Sequence, residues 1–303
     1  MVSGPVTAFA PAKINLYLHV TGRRADGYHL LDSLVAFAGI QDSLTALPWD
    51  RLGLTIDGPF GAGLTAGPDN LVLRAATRLA EEAGVPARAR LALTKRLPVA
   101  SGIGGGSADA AAALRALNRL WDLKAADDDL LDLALELGAD VPVCLLGRAA
   151  FMGGIGEILI PAPALPEASL LLVNPGVSVP TPAVFKARNG DFSKESRFTY
   201  APTDAAELAA LLKARGNDLT TAAESLQPAI GKVLRALAPC PGLLLARMSG
   251  SGATCFGLFD SPASAVQAAL SIGQHNPGWW VKPASLEQDG NRLERERQTL
   301  RTA

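Results

Sequence analysis

The chain has 303 residues, 49% apolar and 19% charged, with 28 Lys and Arg against 29 Asp and Glu for a net charge of −1. That length predicts two domains, and that composition a folded chain rather than a disordered one. It excludes a general nucleic-acid surface, which needs clustered basic residues, and no apolar run approaches the roughly 18 residues that span a bilayer.

The first predicted element is a strand. Ile14, Leu16, Leu18 and Val20 alternate with Asn15, Tyr17 and His19, the period-2 pattern of a half-buried strand. Gly22, Arg23, Arg24, Asp26 and Gly27 form a polar loop, and residues 34–40 read as a second strand. Residues 41–68 are short strands and turns punctuated by Pro48, Gly53, Gly58, Pro59, Gly61, Gly63 and Gly67. Asp69 or Asn70 caps a helix over residues 71–83, which Gly84 stops, and residues 90–97 alternate again.

The stretch 98–121, PVASGIGGGSADAAAALRALNRLW, organises the rest. Glycine without a Cβ admits positive φ and close approach of a ligand, and the helix that follows turns unpaired N–H groups and a partial positive charge toward the loop. The combination predicts a phosphate site. The helix is expected to bury Ala110, Ala113, Leu114, Leu117 and Trp121. A second helix starts at Asp127–Asp129, with Leu130, Leu133, Ala134 and Leu137 on one face and Gly138 as its end. Asp140 then either caps a short helix with Pro142 near its start or precedes a strand.

Beyond the glycines at 153, 154 and 156, the proline-rich segment 161–166 reads as a linker. A strand over 169–173, a polar loop over 191–202 and helices over 204–215 and 224–237 follow. Two strands, 243–248 and 255–259, flank the turn SGSGAT; a helix over 263–272 and a short strand over 279–281 complete an open α+β sandwich. Residues 291–303 are highly charged and are expected to fray. The N-terminus lacks the charged region and apolar core of a secretory signal, so a cytoplasmic location is the default expectation. Cys144, Cys240 and Cys255 have no metal or disulfide spacing and read as small buried residues; His19, His29 and His275 form no paired ligand motif.

Of two known phosphate motifs, one is ruled out for the central loop and the other fits it weakly. A P-loop needs a lysine before its Ser or Thr, and Ser107 follows glycine. A dinucleotide fingerprint needs a third glycine where Ser107 stands, at the first strand–helix turn of the chain rather than nearly 100 residues in.

The loop resembles that of the GHMP kinase superfamily, P-x3-G-[LI]-[GA]-G-G-S-[SA], matched here by Pro98, Val99, Ala100, Ser101, Gly102, Ile103, Gly104, Gly105, Gly106, Ser107 and Ala108. Pro11-Ala-Lys13-Ile-Asn15-Leu16 and Met248-Ser-Gly-Ser-Gly-Ala-Thr-Cys-Phe256 match two further signatures, and the likeness runs from about Ala10 to Phe259. Residues 21–29, 138–142 and 175–182 are similar to the branch that phosphorylates the 2-hydroxyl of a cytidine-diphosphate-linked polyol in non-mevalonate isoprenoid synthesis. The resemblance implies an α+β, two-domain architecture: a ribosomal protein S5 domain 2-like unit over 1–164 and a ferredoxin-like unit over 165–303, with the active site in the cleft between them.

It also implies ATP as phosphate donor, a divalent cation such as Mg2+ with no ligand assigned, and a small-molecule partner in place of nucleic acid or membrane. The loop would bind ATP, with Asn70 and Lys95 on its adenine side. Asp140 would accept or orient the hydroxyl proton, held ionised by Lys13. Tyr28 and Phe185 would stack on cytosine, His29 would contact the base edge, and Asn15, Ile155 and Thr181 would line the substrate. Two alternatives stand beside this reading. A kinase for a mevalonate- or homoserine-type alcohol would not need the aromatic pair, and a non-catalytic binding protein would not need Asp140.

Overall fold

Two long antiparallel strands carry one wall of the site. The computed structural model describes residues 4–291, and in it β1 (Val6–Arg23) pairs with β2 (His29–Leu47) along almost its whole length, from Val6 opposite Ala46 to Arg23 opposite His29. The register slips between Pro11 and Ala12, between Asn15 and Tyr17, and between Val20 and Gly22. Such irregularities re-aim side chains, and here they flank Lys13 and Asn15.

Both strands are longer than the sequence pattern predicts, and β1 is buried on both faces: Tyr17 and Asn15 are as inaccessible as Ile14 and Leu16. The polar face is covered by the later half of the chain. Arg247 donates to the Leu16 carbonyl, and Asp218 accepts from the Val20 amide. Buried Asp32 accepts from Tyr17, from the Ser196 amide and from Arg197, which ties the loop at 191–202 to the same hairpin.

β3 (Leu52–Asp57) and β4 (Ala89–Thr94) extend this sheet, β3 parallel to β4 and β4 antiparallel to β2. Between them α1 (Leu71–Glu82) starts at Asn70, whose side chain accepts from the Val72 amide and so satisfies one orphan donor. α2 (Gly105–Leu120) packs against β1, β2 and α1. Its run of alanines lets the neighbouring backbones close in, and Leu114, Leu117 and Leu120 are fully buried, each contributing about 1.5–3 kcal/mol. α3 (Asp127–Leu137) ends at Gly138, and α4 (Val141–Leu146) follows, so the helical alternative at Asp140 is the one adopted.

A hairpin absent from the sequence reading comes next, β5 (Ala150–Gly154) with β6 (Ile158–Pro161). Gly153 and Gly154 end the first strand and Gly156 lies in the turn, so only short apolar stretches remain and their alternation was hidden. β7 (Ser169–Asn174), α5 (Thr181–Ala187) and α6 (Ala205–Lys213) follow. The single helix expected over 224–237 is two, α7 (Thr220–Leu226) and α8 (Ala229–Leu237), because Pro228 lacks the N–H that would continue the ladder. β8 (Leu243–Met248), β9 (Cys255–Phe259), α9 (Pro262–His275) and β10 (Trp280–Glu287) complete the chain. The charged tail over 292–303 lies outside the described residues.

β10 is much longer than predicted and joins the halves. It pairs with β7 over its length and with β2 at its end, so hydrogen-bonded strands run in the order β3-β4-β2-β10-β7-β9-β8. Both apolar clusters draw side chains from the two halves. Cys144 and Cys255 are buried as expected, whereas Cys240 is partly exposed. No helix among the described residues is long and apolar enough to cross a membrane.

Candidate active site

The glycine loop forms one lip of a cavity of about 1270 Å3 whose other walls come from β1, β2, α5 and the turn between β8 and β9. Gly104, at φ +63°, ends the loop and α2 starts at Gly105; the first helical bond is from the Ala108 amide to the Gly104 carbonyl at 2.8 Å. The amides of Gly105, Gly106 and Ser107 therefore have no partner within the helix and stand at its positive end. All three residues line the cavity, as do Pro98, Val99, Ala100, Ser101, Gly102 and Gly104. Ile103 and Ala108 do not: both are buried, Ile103 in the core, with its carbonyl accepting from the Lys13 amide at 3.0 Å. Their place in the motif reflects packing beneath the loop.

The loop is held from the far half of the chain. Ser249 Oγ donates to the Gly102 carbonyl at 3.0 Å and accepts from the Asn15 amide at 3.1 Å, and the Thr254 amide donates to the Ser101 carbonyl at 3.0 Å. Gly102 sits at φ +75°, with the backbone of Ser249 and Gly252 where a Cβ would project. The SGSGAT turn is thus a brace for the phosphate loop.

Lys13 and Asp140 meet beside it. Lys13 Nζ lies 2.9 Å from Asp140 Oδ2 and donates to Asn15 Oδ1, also at 2.9 Å. Lys13 is 3% exposed and Asp140 34%, so a buried cation holds a carboxylate that solvent and ligand still reach. Asp140 is the residue before α4, yet its side chain makes no capping bond. Its carboxylate is spent on Lys13 instead. Asn15 is fixed in turn by donating from Nδ2 to Ser33 Oγ at 2.8 Å.

Below the first turn of α2 lies a buried cluster that the sequence reading missed. Lys95 Nζ bridges Asp42 and Asp109, the latter at 2.6 Å, and Asp42 also accepts from the amides of Arg96 and Leu97. Asp109 Oδ1 has no hydrogen-bond partner. Burial pushes the Asp109 carboxyl up and, with Asp42 adding to that push, outweighs the pull of Lys95; the result is about 7. Burial acts to lower Lys95, but Asp109 and Asp42 prevail and raise it, so the lysine stays charged. Of the side chains expected on the adenine side, Lys95 is therefore committed to two carboxylates and Asn70 to capping α1, although both line the cavity. The sequence signal for the cluster was faint: one acid inside an apolar strand and one inside an alanine helix.

The opposite end is aromatic. His29 stacks on Phe185 with ring centroids 5.0 Å apart and planes 25° apart, while Tyr28 is 62% exposed at the rim. The stacked pair is His29 with Phe185, and Tyr28 stands apart from it at the rim. Ile155 and Thr181 also line this end, and Thr181 Oγ1 is 2.8 Å from Ser251 Oγ. Burial, then Arg23 and Arg188, lower the His29 pKa, which leaves a neutral imidazole with hydrogen-bonding capacity. One cavity thus joins an anion cradle, a carboxylate held by lysine, and a stacking pocket.

The chain matches the family models for the GHMP kinases N terminal domain over residues 70–148 and the GHMP kinases C terminal domain over 200–278. It is 57% identical over 284 residues to the 4-diphosphocytidyl-2-C-methyl-D-erythritol kinase of Rhodospirillum rubrum, covering 94% of this chain and 93% of that protein. It is 57% identical over 282 residues to the protein of that name from Cereibacter sphaeroides, covering 92% and 98%. A crystal structure of 4-(cytidine 5'-diphospho)-2C-methyl-D-erythritol kinase superposes with a TM-score of 0.75 at 38% identity, covering 93% of this chain and 99% of the other. The homoserine kinase from Cytophaga hutchinsonii, 20% identical with a TM-score of 0.73 and coverage of 96% and 97%, shares the fold.

Proposed function

The chain belongs to the GHMP kinase family, and from that premise we propose how its cavity performs phosphoryl transfer. It is a kinase that uses ATP to phosphorylate the 2-hydroxyl of 4-diphosphocytidyl-2-C-methyl-D-erythritol, a step in isoprenoid biosynthesis. The observation that carries the mechanism is the 2.9 Å Lys13–Asp140 pair at the junction of the anion cradle and the aromatic pocket.

Phosphoryl transfer needs alignment and charge neutralisation more than covalent help. The amides of Gly105, Gly106 and Ser107 receive the ATP phosphates at the end of α2. A helix end gives only about 0.3–1 kcal/mol when exposed and up to about 2 when partly buried, so cations must supply the remainder. Lys13 is one of them. It occupies Asp140 Oδ2 and leaves Oδ1 to accept the proton of the substrate hydroxyl as its oxygen forms the new bond to the γ-phosphorus. The bond from that phosphorus to the β–γ bridging oxygen breaks, and ADP leaves with the electron pair.

Mg2+ fits the donors present. No group of three His, Cys, Asp or Glu that would cage a metal occurs among the described residues, whereas Mg2+ is ordinarily held by one or two carboxylates, water and substrate phosphates. The substrate phosphates and water would hold most of its coordination sphere, and the ion would neutralise phosphate charge. Tyr28 and Phe185 hold the cytosine, His29 reads its edge, and Asn15, Ile155 and Thr181 line the path between. We also place the domain division near residue 164, with β10 of the C-terminal part reaching back to β2.

The test is ATP consumption with the cytidine-linked substrate, mevalonate or homoserine supplied in turn. Turnover with the cytidine compound alone is expected; turnover confined to mevalonate or homoserine would overturn the substrate assignment.

A further inference from the structure

The cavity carries more positive charge at its aromatic end than the mechanism uses. Three carboxylates line the cavity, and each is already bridged: Asp140 to Lys13 at 2.9 Å, Asp109 to Lys95 at 2.6 Å and Asp26 to Arg24 at 2.8 Å. Arg23, Lys186 and Arg188 line it too, and none of them forms an ion pair among the described residues. In a chain whose charges sum to −1, three uncompensated cations around one pocket repel one another and call for an anion.

The two arginines are also held in place. Arg23 ends β1, where Nε donates to the Gly27 carbonyl at 3.2 Å and leaves both terminal nitrogens unspent. Arg188 directly follows α5; its terminal nitrogens hold the carbonyls of Gly190 and Asp191, and its guanidinium lies over the Phe192 ring at 5.2 Å. Its Nε is buried with no partner. Both cations act on His29, which is stacked on Phe185. They come from distant parts of the chain and line the same cavity as His29 and Phe185.

We propose that Arg23 and Arg188 form a clamp for the diphosphate that links cytidine to the polyol. This deepens the proposed function and rests on its assignment of a cytidine-diphosphate substrate. A diphosphate diester carries two negative charges and several acceptor oxygens, and planar guanidiniums match such groups better than ammonium does. The ATP phosphates have their own cradle at α2, so the clamp distinguishes the two nucleotides by place as well as by base.

The test uses binding of cytidine and of CDP by calorimetry without ATP. The native enzyme should bind CDP at least about tenfold more tightly than cytidine, as expected for charge-assisted bonds. In the Arg23→Gln, Arg188→Gln double variant that preference should fall to within about twofold while cytidine affinity holds, which also shows an intact fold. The cytidine-linked substrate should show a raised KM with the KM for ATP unchanged, and Arg188→Lys should recover part of the loss. A CDP preference that survives the double substitution would overturn the clamp, as would equal binding of cytidine and CDP to the native enzyme. Failure of the native enzyme to bind either would overturn the substrate assignment, and the clamp with it.

Discussion

Gly102 and Gly106 belong to one motif but meet different demands, and alanine at each separates them. A Cβ on Gly102 would lie 2.5 Å from the Ser249 carbonyl oxygen and 2.7 Å from both N and O of Gly252, all backbone atoms, at φ +75°. The left-handed conformation alone costs an L-residue about 1–2 kcal/mol. Moving the SGSGAT turn aside loses the bonds from Ser249 Oγ to Gly102 and from the Thr254 amide to Ser101, about 1 kcal/mol each. Gly102→Ala should therefore destabilise the protein by about 3–4 kcal/mol. A Cβ on Gly106 meets only Leu71 Cδ1 at 3.7 Å, an ordinary contact, and the residue lies in the first turn of α2. Gly106→Ala should leave stability unchanged or raise it by up to about 1 kcal/mol, yet increase the KM for ATP because a methyl group intrudes where phosphate approaches. Urea denaturation followed by fluorescence, with steady-state kinetics on each variant, reads both effects. Equal loss of stability in the two variants, or a loss below about 1 kcal/mol for Gly102→Ala, would refute the brace between the loop and the turn.

Asp140→Asn should lower kcat by about 10²–10⁴-fold while ATP binding, followed by calorimetry, persists; near-native turnover would remove Asp140 from proton transfer. Tyr28→Ala should raise the KM for the cytidine substrate and leave the denaturation midpoint within error, since the ring is 62% exposed; an unchanged KM would place the base elsewhere. Asp109 has a folded pKa raised to about 7, so its native form binds more protons than the unfolded chain at mildly acidic pH. Its contribution to stability is present below the ordinary carboxylate pKa and is lost as pH rises toward 7. Thermal unfolding of Asp109→Asn should show less decline between pH 5 and pH 8 than the native protein, and parallel profiles would contradict the raised pKa.

The two lysines that meet carboxylates show how far the sequence reading reached. Lys13 and Asp140 stand at recognisable motif positions, and the structure brings them to 2.9 Å. Asp42 and Asp109 stand inside apolar stretches whose own alternation said only strand and helix, and nothing local linked them to Lys95. The same holds for Arg23, legible only as part of a polar loop, and Arg188, with nothing local to link them.

By itself the sequence determined the local chemistry. Glycine runs, caps and apolar periodicity placed the phosphate loop, α1, α2, α3 and the β8–β9 turn within a few residues, because each depends on groups close along the chain. Tertiary structure decided everything that depends on partners far apart in sequence. It buried the polar face of β1, carried β10 back to β2, and stacked His29 on Phe185. It also turned Ser249 from a turn residue into the hydrogen-bonding partner of Gly102, 147 positions away. Hydrogen bonds and ion pairs of that range are set by how whole elements stack, and pairing of that kind leaves no periodicity in the chain to read.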